Sequence, residues 1–457
     1  MISHRVLAVL VLGAVAAVAQ FTTANLGGTV ADTSGGFVQG AKVTILNRDT
    51  GLTRTGETGA DGTFSFPALP VGAYRLTVER EGFSTYVQEG ITLTVNQVAN
   101  QRVTLQVGAT TQQITVTENA AMVNTRTATI DQLISQRQVS DLPLNGRAAH
   151  ALVLIAAGTS ALPISGQGGI YGGRDQTFGG SQMAGVSGGG SDSVNYQMDG
   201  AGHNDTYVNM NLPFPNPDAI QEFNLQSSSM SAAYGEGAAV VNIVTKSGTN
   251  AFHGNVFEFV RNGAMNARNY FAPTQDTLKR NQFGATAGGP IKRDELFFFG
   301  TYQGTRIRSA PAGAVTYVPT AAERSGDFSS TAKQLVDPVT KTPFPGNQIP
   351  MSLFSGPSKY FLDKIPLPNG SGNQLTYLGP AAKPDDNHYM AKIDWARGKQ
   401  RLSGRYFYSK LNQQPDFSQV KQNIIAMDRN GNEVRVQTLA LDHTYTASQT
   451  LLFQTWF

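Results

Sequence analysis

The chain has 457 residues, 40% hydrophobic and 15% charged, with a formal net charge of +3. That length accommodates about two to four domains with real cores, while so small a charge excess excludes the electrostatic footprint of a nucleic-acid binder. Cysteine is absent, which excludes disulfides, thiolate metal sites and cysteine nucleophiles, and 49 Gly, 15 Tyr and 24 Phe with few helix-type apolar stripes point to a mainly β protein.

At the N-terminus, His4 and Arg5 precede an apolar run over 6–19 that closes with Ala17-Val18-Ala19 before Gln20. This is the pattern of a cleaved signal peptide, residues 1–19. A membrane anchor is the alternative, but spanning takes ~20 apolar residues. No other segment approaches a transmembrane helix, so a membrane-resident mature protein must be a β-barrel.

Residues 20–107 alternate short strands with turns. Strands are expected at 27–31, 41–47, 63–66, 74–79, 91–95 and 101–107, with turns at Thr33-Ser34-Gly35-Gly36 and Ala60-Asp61-Gly62 where a β-sandwich needs them. In Tyr74-Arg75-Leu76-Thr77-Val78 the apolar side chains share one face, as in a half-buried strand. The runs Gly28-Thr29-Val30, Gly40-Ala41-Lys42-Val43, Asp61-Gly62-Thr63-Phe64 and Pro70-Val71-Gly72-Ala73-Tyr74 resemble the carboxypeptidase regulatory-like domain. The resemblance implies a prealbumin-like sandwich that is not itself a peptidase. The segment agrees, having no His or Cys to hold a metal.

Residues 108–125 read as an extended polar linker containing Gln113, Ile114, Thr115, Val116, Thr117 and Glu118. Beyond it, Ile130, Leu133 and Ile134 have helical spacing, and Asn145 is placed to cap a short helix through 148–154. Between 165 and 202, 13 of 38 residues are glycine, without capping signals or periodicity, so loops are expected. The apolar run with Val240, Ile243 and Val244 ends at the turn Ser247-Gly248-Thr249-Asn250.

From there the chain alternates in steps of two. Strands are expected at 252–260, 282–289, 295–307, 388–396, 401–410, 434–445 and 450–457, although 252–260 alternates poorly. Over 401–409 one face holds Leu402, Gly404, Tyr406 and Tyr408, the other Arg401, Ser403, Arg405, Phe407 and Ser409. An apolar-aromatic exterior and a polar lumen, at ~9–11 residues per crossing, produce this pattern. The stretch 308–387 reads as an extracellular loop. A soluble sandwich also alternates, and 252–457 alone leaves the two readings equal. The export signal, the aromatic density and the Gly-rich region favour the barrel.

The centre of the chain resembles the plug of TonB-dependent outer-membrane receptors, in particular the Oar-like branch. The matching residues are Leu142-Pro143-Leu144-Asn145-Gly146-Arg147, Met198-Asp199-Gly200 and Pro217-Asp218-Ala219-Ile220-Gln221-Glu222-Phe223. They continue through Tyr234-Gly235, Gly237-Ala238 and Val244-Thr245-Lys246-Ser247-Gly248-Thr249-Asn250 to Phe252-His253-Gly254. The resemblance implies a small α/β plug domain over 126–250 and, over 251–457, the first strands of a large antiparallel transmembrane β-barrel. It also implies that 113–118 is a TonB box, the strand offered to the periplasmic energy-coupling protein. By its residues alone that strand serves equally as a plain linker strand. An open sheet leaves edge amides unsatisfied in lipid, so the chain is expected to be part of a longer protein.

Other chemistry is weak. Gly166-x-Gly168 opens no phosphate loop, Asp199, Asn204 and Asp205 lack calcium-loop spacing, and no His pair or Gly-x-Ser-x-Gly elbow occurs. Neither a metal nor a cofactor is expected, and Arg147 is placed to pin the plug to the barrel wall, with a structural salt bridge as the default reading. The expected function is uptake of an extracellular ligand whose class the residues leave open among carbohydrate, peptide and metal chelate, by an outer-membrane receptor that contacts lipid and the TonB complex and binds no nucleic acid. A passive adhesin or structural barrel is the alternative.

Overall fold

The computed structural model describes residues 22–108, 113–116, 130–162, 183–206, 209, 211–228, 237–268, 270, 275, 277–308, 314–377, 385–413, 432–448 and 451–457. The expected signal peptide, Thr117, Glu118 and the glycine-rich residues 163–182 lie outside them.

The first unit is a sandwich of eight strands: β1 (Ala24–Asp32), β2 (Lys42–Asn47), β3 (Thr53–Glu57), β4 (Thr63–Leu69), β5 (Gly72–Glu79), β6 (Thr85–Leu93), β7 (Val98–Leu105) and β8 (Gln113–Val116). One sheet runs β4-β1-β7 and the other β3-β2-β5-β6-β8. The two-residue period does the sorting. Tyr74, Leu76 and Val78 of β5 are buried with Leu26, Ile45, Phe64 and Val103, while Arg75 and Thr77 face outward. Gly28 is required where the sheet closes, because a Cβ there would stand 2.1 Å from the Gln101 carbonyl oxygen. Strand β3 was not expected. Of its residues only Gly56 is buried, so it carries no apolar alternation.

The second unit holds β9 (Ile130–Ile134), α1 (Gln136–Asp141), 3-10 turns at Asn145–Arg147 and Ala149–Ile155, the paired β10 (Thr159–Leu162) and β11 (Met183–Val186), then β12 (Val194–Met198), β13 (Ala201–Gly202), β14 (Ile220–Ser228) and β15 (Ala239–Thr245). Five of these strands form a sheet in the order β13-β12-β15-β14-β9, with all seven residues of β15 buried. Two expectations are corrected here. Ile130, Leu133 and Ile134 lie on a strand, with Leu133 opposite Asn224 and Ile134 opposite Phe223, because the edge of β14 supplies hydrogen bonds that a lone helical turn lacks. The helix through 148–154 is a 3-10 helix with Ala148 at its start and no side-chain cap. The capping signal sits earlier, where Ser135 and Gln138 form a reciprocal box at α1.

The third unit is an antiparallel wall: β16 (His253–Asn262), β17 (Lys279–Lys292), β18 (Leu296–Arg308), then, after a long connection, β21 (Asp385–Arg397), β22 (Gln400–Gln413), β23 (Asn432–Thr446) and β24 (Leu452–Trp456). Within the connection, β19 (Ala314–Tyr317) pairs with β20 (Gln374–Tyr377). Arg324 gathers this loop by donating to the carbonyls of Pro319, Leu362, Ile365 and Pro366 at 2.6–3.1 Å. The wall strands join through short turns at 293–295, 398–399 and 447–451 on one rim, and through long connections at 263–278, 309–384 and 414–431 on the other. That asymmetry is the pattern of outer-membrane barrels, with short turns on the periplasmic side. The sandwich docks at the short-turn rim, where Asn250 N donates to Asp49 O at 2.8 Å and Asn250 Nδ2 to Asp294 Oδ1 at 2.7 Å.

The faces sort as the alternation requires. Tyr389, Ile393, Leu402 and Tyr406 point away from the central unit and are exposed, whereas Arg405, Phe407 and Ser409 face it and are buried. Phe299, Met390 and Phe407 of the wall share one apolar core with Phe223, Leu225 and Val241 of the central sheet. The central unit is thus packed onto the wall's inner face.

Candidate functional site

The site lies where the central sheet meets that inner face. Strands β12 and β13 are joined by Asp199-Gly200, with φ of 48° and 82°. Two successive positive φ values suit the tightest hairpin turn, for which Asp-Gly is a favoured pair. The turn aims the Asp199 carboxylate at the wall. It accepts from Thr245 N at 3.0 Å, Thr245 Oγ1 at 2.6 Å and Lys392 Nζ at 3.2 Å. Arg405 Nε forms an ion pair with it at 3.1 Å. Arg405 also donates to Met198 O at 3.1 Å and Thr438 Oγ1 at 2.7 Å, and Lys392 to Thr245 O at 3.2 Å.

All three charges are removed from solvent, with side-chain exposures of 10% for Asp199, 7% for Lys392 and 1% for Arg405. Burial raises the Asp199 carboxyl, but Lys392, Arg405 and the Thr245 hydrogen bonds outweigh it and hold it below the ordinary carboxylate range. The carboxylate therefore stays charged. Beneath it, a cavity of about 160 Å³ is lined by residues of all three units, among them Asp49, Asp199, Lys392 and Arg401. On the other side His203 packs against Phe214 and Phe407, its Nε2 3.0 Å from Pro213 O. Burial pushes its pKa down to about 3, so the ring is neutral.

A second contact is built by the run from Leu142 to Arg147. Leu142 and Pro143 are exposed and Leu144 packs against the central core. Gly146 and Arg147 both adopt positive φ, of 68° and 56°, which turns the guanidinium toward β16. It pairs with Asp218, lies 4.4 and 4.2 Å from the ring centres of Phe257 and Phe259, and donates to Gln303 Oε1 at 3.4 Å. Asn255 Nδ2 holds Asp218 at 2.6 Å, and Gln282 Nε2 donates to Gly146 O at 2.9 Å. Arg147 therefore forms the expected salt bridge and also grips the wall.

The segment Gln113–Val116 takes part in neither contact. It is the outermost strand of the five-stranded sandwich sheet, paired in parallel with β6. Its own docking to the centre runs through the sandwich, where Val95 N donates to Glu222 Oε1 at 2.5 Å. Among the described residues, no group of three or more His, Asp and Glu side chains is arranged to hold a metal. Sequence reasoning missed Lys392 and Arg405 as partners of Asp199. The signal was present, since both fall on the polar face of their alternating strands.

A family model for an outer membrane beta barrel domain matches residues 244–457, and one for a carboxypeptidase regulatory-like domain matches 25–106. Residues 244–457 are thus similar to an outer-membrane β-barrel domain. Over 274 residues the chain is 26% identical to the TonB-dependent transporter Oar of Myxococcus xanthus, covering 55% of this chain and 24% of that relative. It thus spans about a quarter of the length of the curated relative it matches. Among solved structures, a ferric enterobactin receptor mutant of Pseudomonas aeruginosa aligns at TM-score 0.43 with 12% identity, covering 71% of this chain and 40% of that one. The siderophore receptor PirA of Acinetobacter baumannii aligns at 0.42 with 16% identity, covering 70% and 38%. The chain is a homologue of a TonB-dependent transporter and an outer-membrane protein of the Gram-negative type. The tie between soluble sandwich and barrel for 252–457 is resolved in favour of the barrel.

Proposed function

We propose that the protein is a TonB-dependent transporter taking up an extracellular ligand, with residues 126–250 as its plug. The observation that carries this reading is the buried lock of Asp199 with Lys392 and Arg405. A unit fastened to the inner face of a barrel by desolvated charges is held in place at rest. Ion pairs of this kind are costly to break singly but exchange as a set when the geometry changes. In the proposed cycle, ligand enters from the long-loop rim and reaches the plug. A pull through 113–118 from the periplasm then separates Asp199 from the wall and opens a path.

The segment suits that role by position and by chemistry. It lies between sandwich and plug, and a partner that adds a strand needs extended, β-branched backbone. The test is binding of the full-length protein to the periplasmic domain of TonB. Wild type is expected to bind, and the double variant Ile114→Pro, Val116→Pro to lose binding, because proline removes ladder donors. Binding that survives both prolines removes 113–118 from the mechanism, and a wild type that fails to bind supports a passive barrel instead.

A further inference from the structure

The candidate partner strand already has an occupant on one of its edges. Gln113–Val116 pairs with the start of β6, in the register Thr85↔Gln113, Tyr86↔Ile114, Val87↔Thr115 and Gln88↔Val116. Tyr86, Val87 and Gln88 are buried, so this end of β6 belongs to the body of the sandwich. The pairing is parallel and four residues long, and parallel ladders are the weaker kind per residue. β6 remains paired to β5 from Tyr86 onward whether or not β8 is present, whereas Thr85 pairs with β8 and not with β5. Removing β8 would therefore cost the sandwich one short outer strand and leave its remaining ladders intact.

We infer that the sandwich is an autoinhibitory seat, in which the β6 edge at Thr85–Gln88 holds 113–116 and a periplasmic strand-adding protein must lift the segment off before capturing it. The inference rests on the reading of 113–118 as the partner-binding segment and adds to it a role for the sandwich. The seat lowers the fraction of segment open to the partner, so apparent affinity falls by that fraction. Its strand is also tied to the plug, since Val95, two residues past the end of β6, donates to Glu222.

The wild-type chain has no cysteine, so a single engineered disulfide tests the seat cleanly. Neighbouring strands lie ~4.8 Å apart, within disulfide reach. The full-length variant Val87→Cys, Thr115→Cys is oxidised and titrated with the periplasmic domain of TonB, then reduced and titrated again. Oxidation is expected to weaken binding at least about tenfold and reduction to restore it. In the opposite direction, Thr85→Pro alters the β6 residue that pairs with β8 and not with β5, at the first residue of the strand, where proline is tolerated. It is expected to tighten binding about fivefold, the worth of one net hydrogen bond. Equal binding by the oxidised and reduced proteins, or failure of the disulfide to form, overturns the seat while leaving the segment's partner role standing. Absence of binding by wild type and by the reduced variant defeats the partner role, and the seat with it.

Discussion

Asp199 and Arg405 meet as a buried ion pair 3.1 Å apart, one on a hairpin of the central unit and the other on the fifth of seven wall strands. Lys392 completes the set from the neighbouring strand. Two cations therefore depend on one carboxylate, and loss of that carboxylate strands both. Asp199→Asn is expected to cost about 3–5 kcal/mol, the usual penalty for an uncompensated buried charge. It should lower the unfolding midpoint of the full-length protein and raise its conductance in planar bilayers. An unchanged midpoint together with unchanged conductance would contradict the lock.

Arg147 combines a salt bridge to Asp218 with two aromatic rings. A lysine keeps the charge but loses the planar fork and the stacking on Phe257 and Phe259. Arg147→Lys is expected to destabilise by about 1–2 kcal/mol, with Arg147→Ala worse. A double-mutant cycle with Phe259→Leu measures the ring's share, and additivity of the two changes would refute the contact's importance.

Glu222 is buried against the sandwich, and burial pushes its carboxyl up to about 7 despite the hydrogen bond from Val95 N. In the unfolded chain it titrates near 4.5. Between those values the folded state holds a proton that the unfolded state has released. The contribution to stability is fully present below pH 4.5 and is lost as pH rises through 7, by at most about 3 kcal/mol. Glu222→Gln should flatten this part of the stability–pH curve. Unfolding midpoints measured from pH 4 to 8 decide it, and an identical slope in wild type and variant would rule the assignment out.

Gly248 sits in the turn that leaves the central unit, and a Cβ added there would lie 2.3 Å from Phe298 O and 2.6 Å from Gly289 O. Both obstacles are backbone of the wall, which cannot rotate away. Gly248→Ala is expected to cost about 1–3 kcal/mol and to slow assembly. Heat-modifiable migration on gels reads the folded fraction directly, and wild-type migration at all temperatures would show that the turn is looser than described.

Much of this was legible in the residues themselves. The period of two alone places Leu402 and Tyr406 outward and Arg405 inward. It also puts Phe407 on the polar face, where the core of the central unit receives it. The alternation of β16 is poor for a physical reason: its inward Phe257 and Phe259 serve Arg147 rather than a polar lumen. Ile130, Leu133 and Ile134 were misread because five residues cannot distinguish periods of two and 3.6 when a sheet edge lies nearby. The alternation turns Lys392 and Arg405 inward, but their pairing with Asp199 is not legible in it, since it links positions that only the tertiary fold brings together. The seating of Gln113–Val116 on β6 was hidden for the same reason.

The connection between β18 and β21 is pinned at its base, where Ala314–Tyr317 pairs with Gln374–Tyr377. Directly below, β18 and β21 remain in register from Arg306↔Asp385 down to Leu296↔Trp395. Whatever fills the space above that clasp can change in length and composition without shifting Lys392 by a single residue. The connection above the clasp and the cluster of Asp199, Lys392 and Arg405 can therefore diversify independently, and the clasp offers a place to graft a different loop without disturbing the wall.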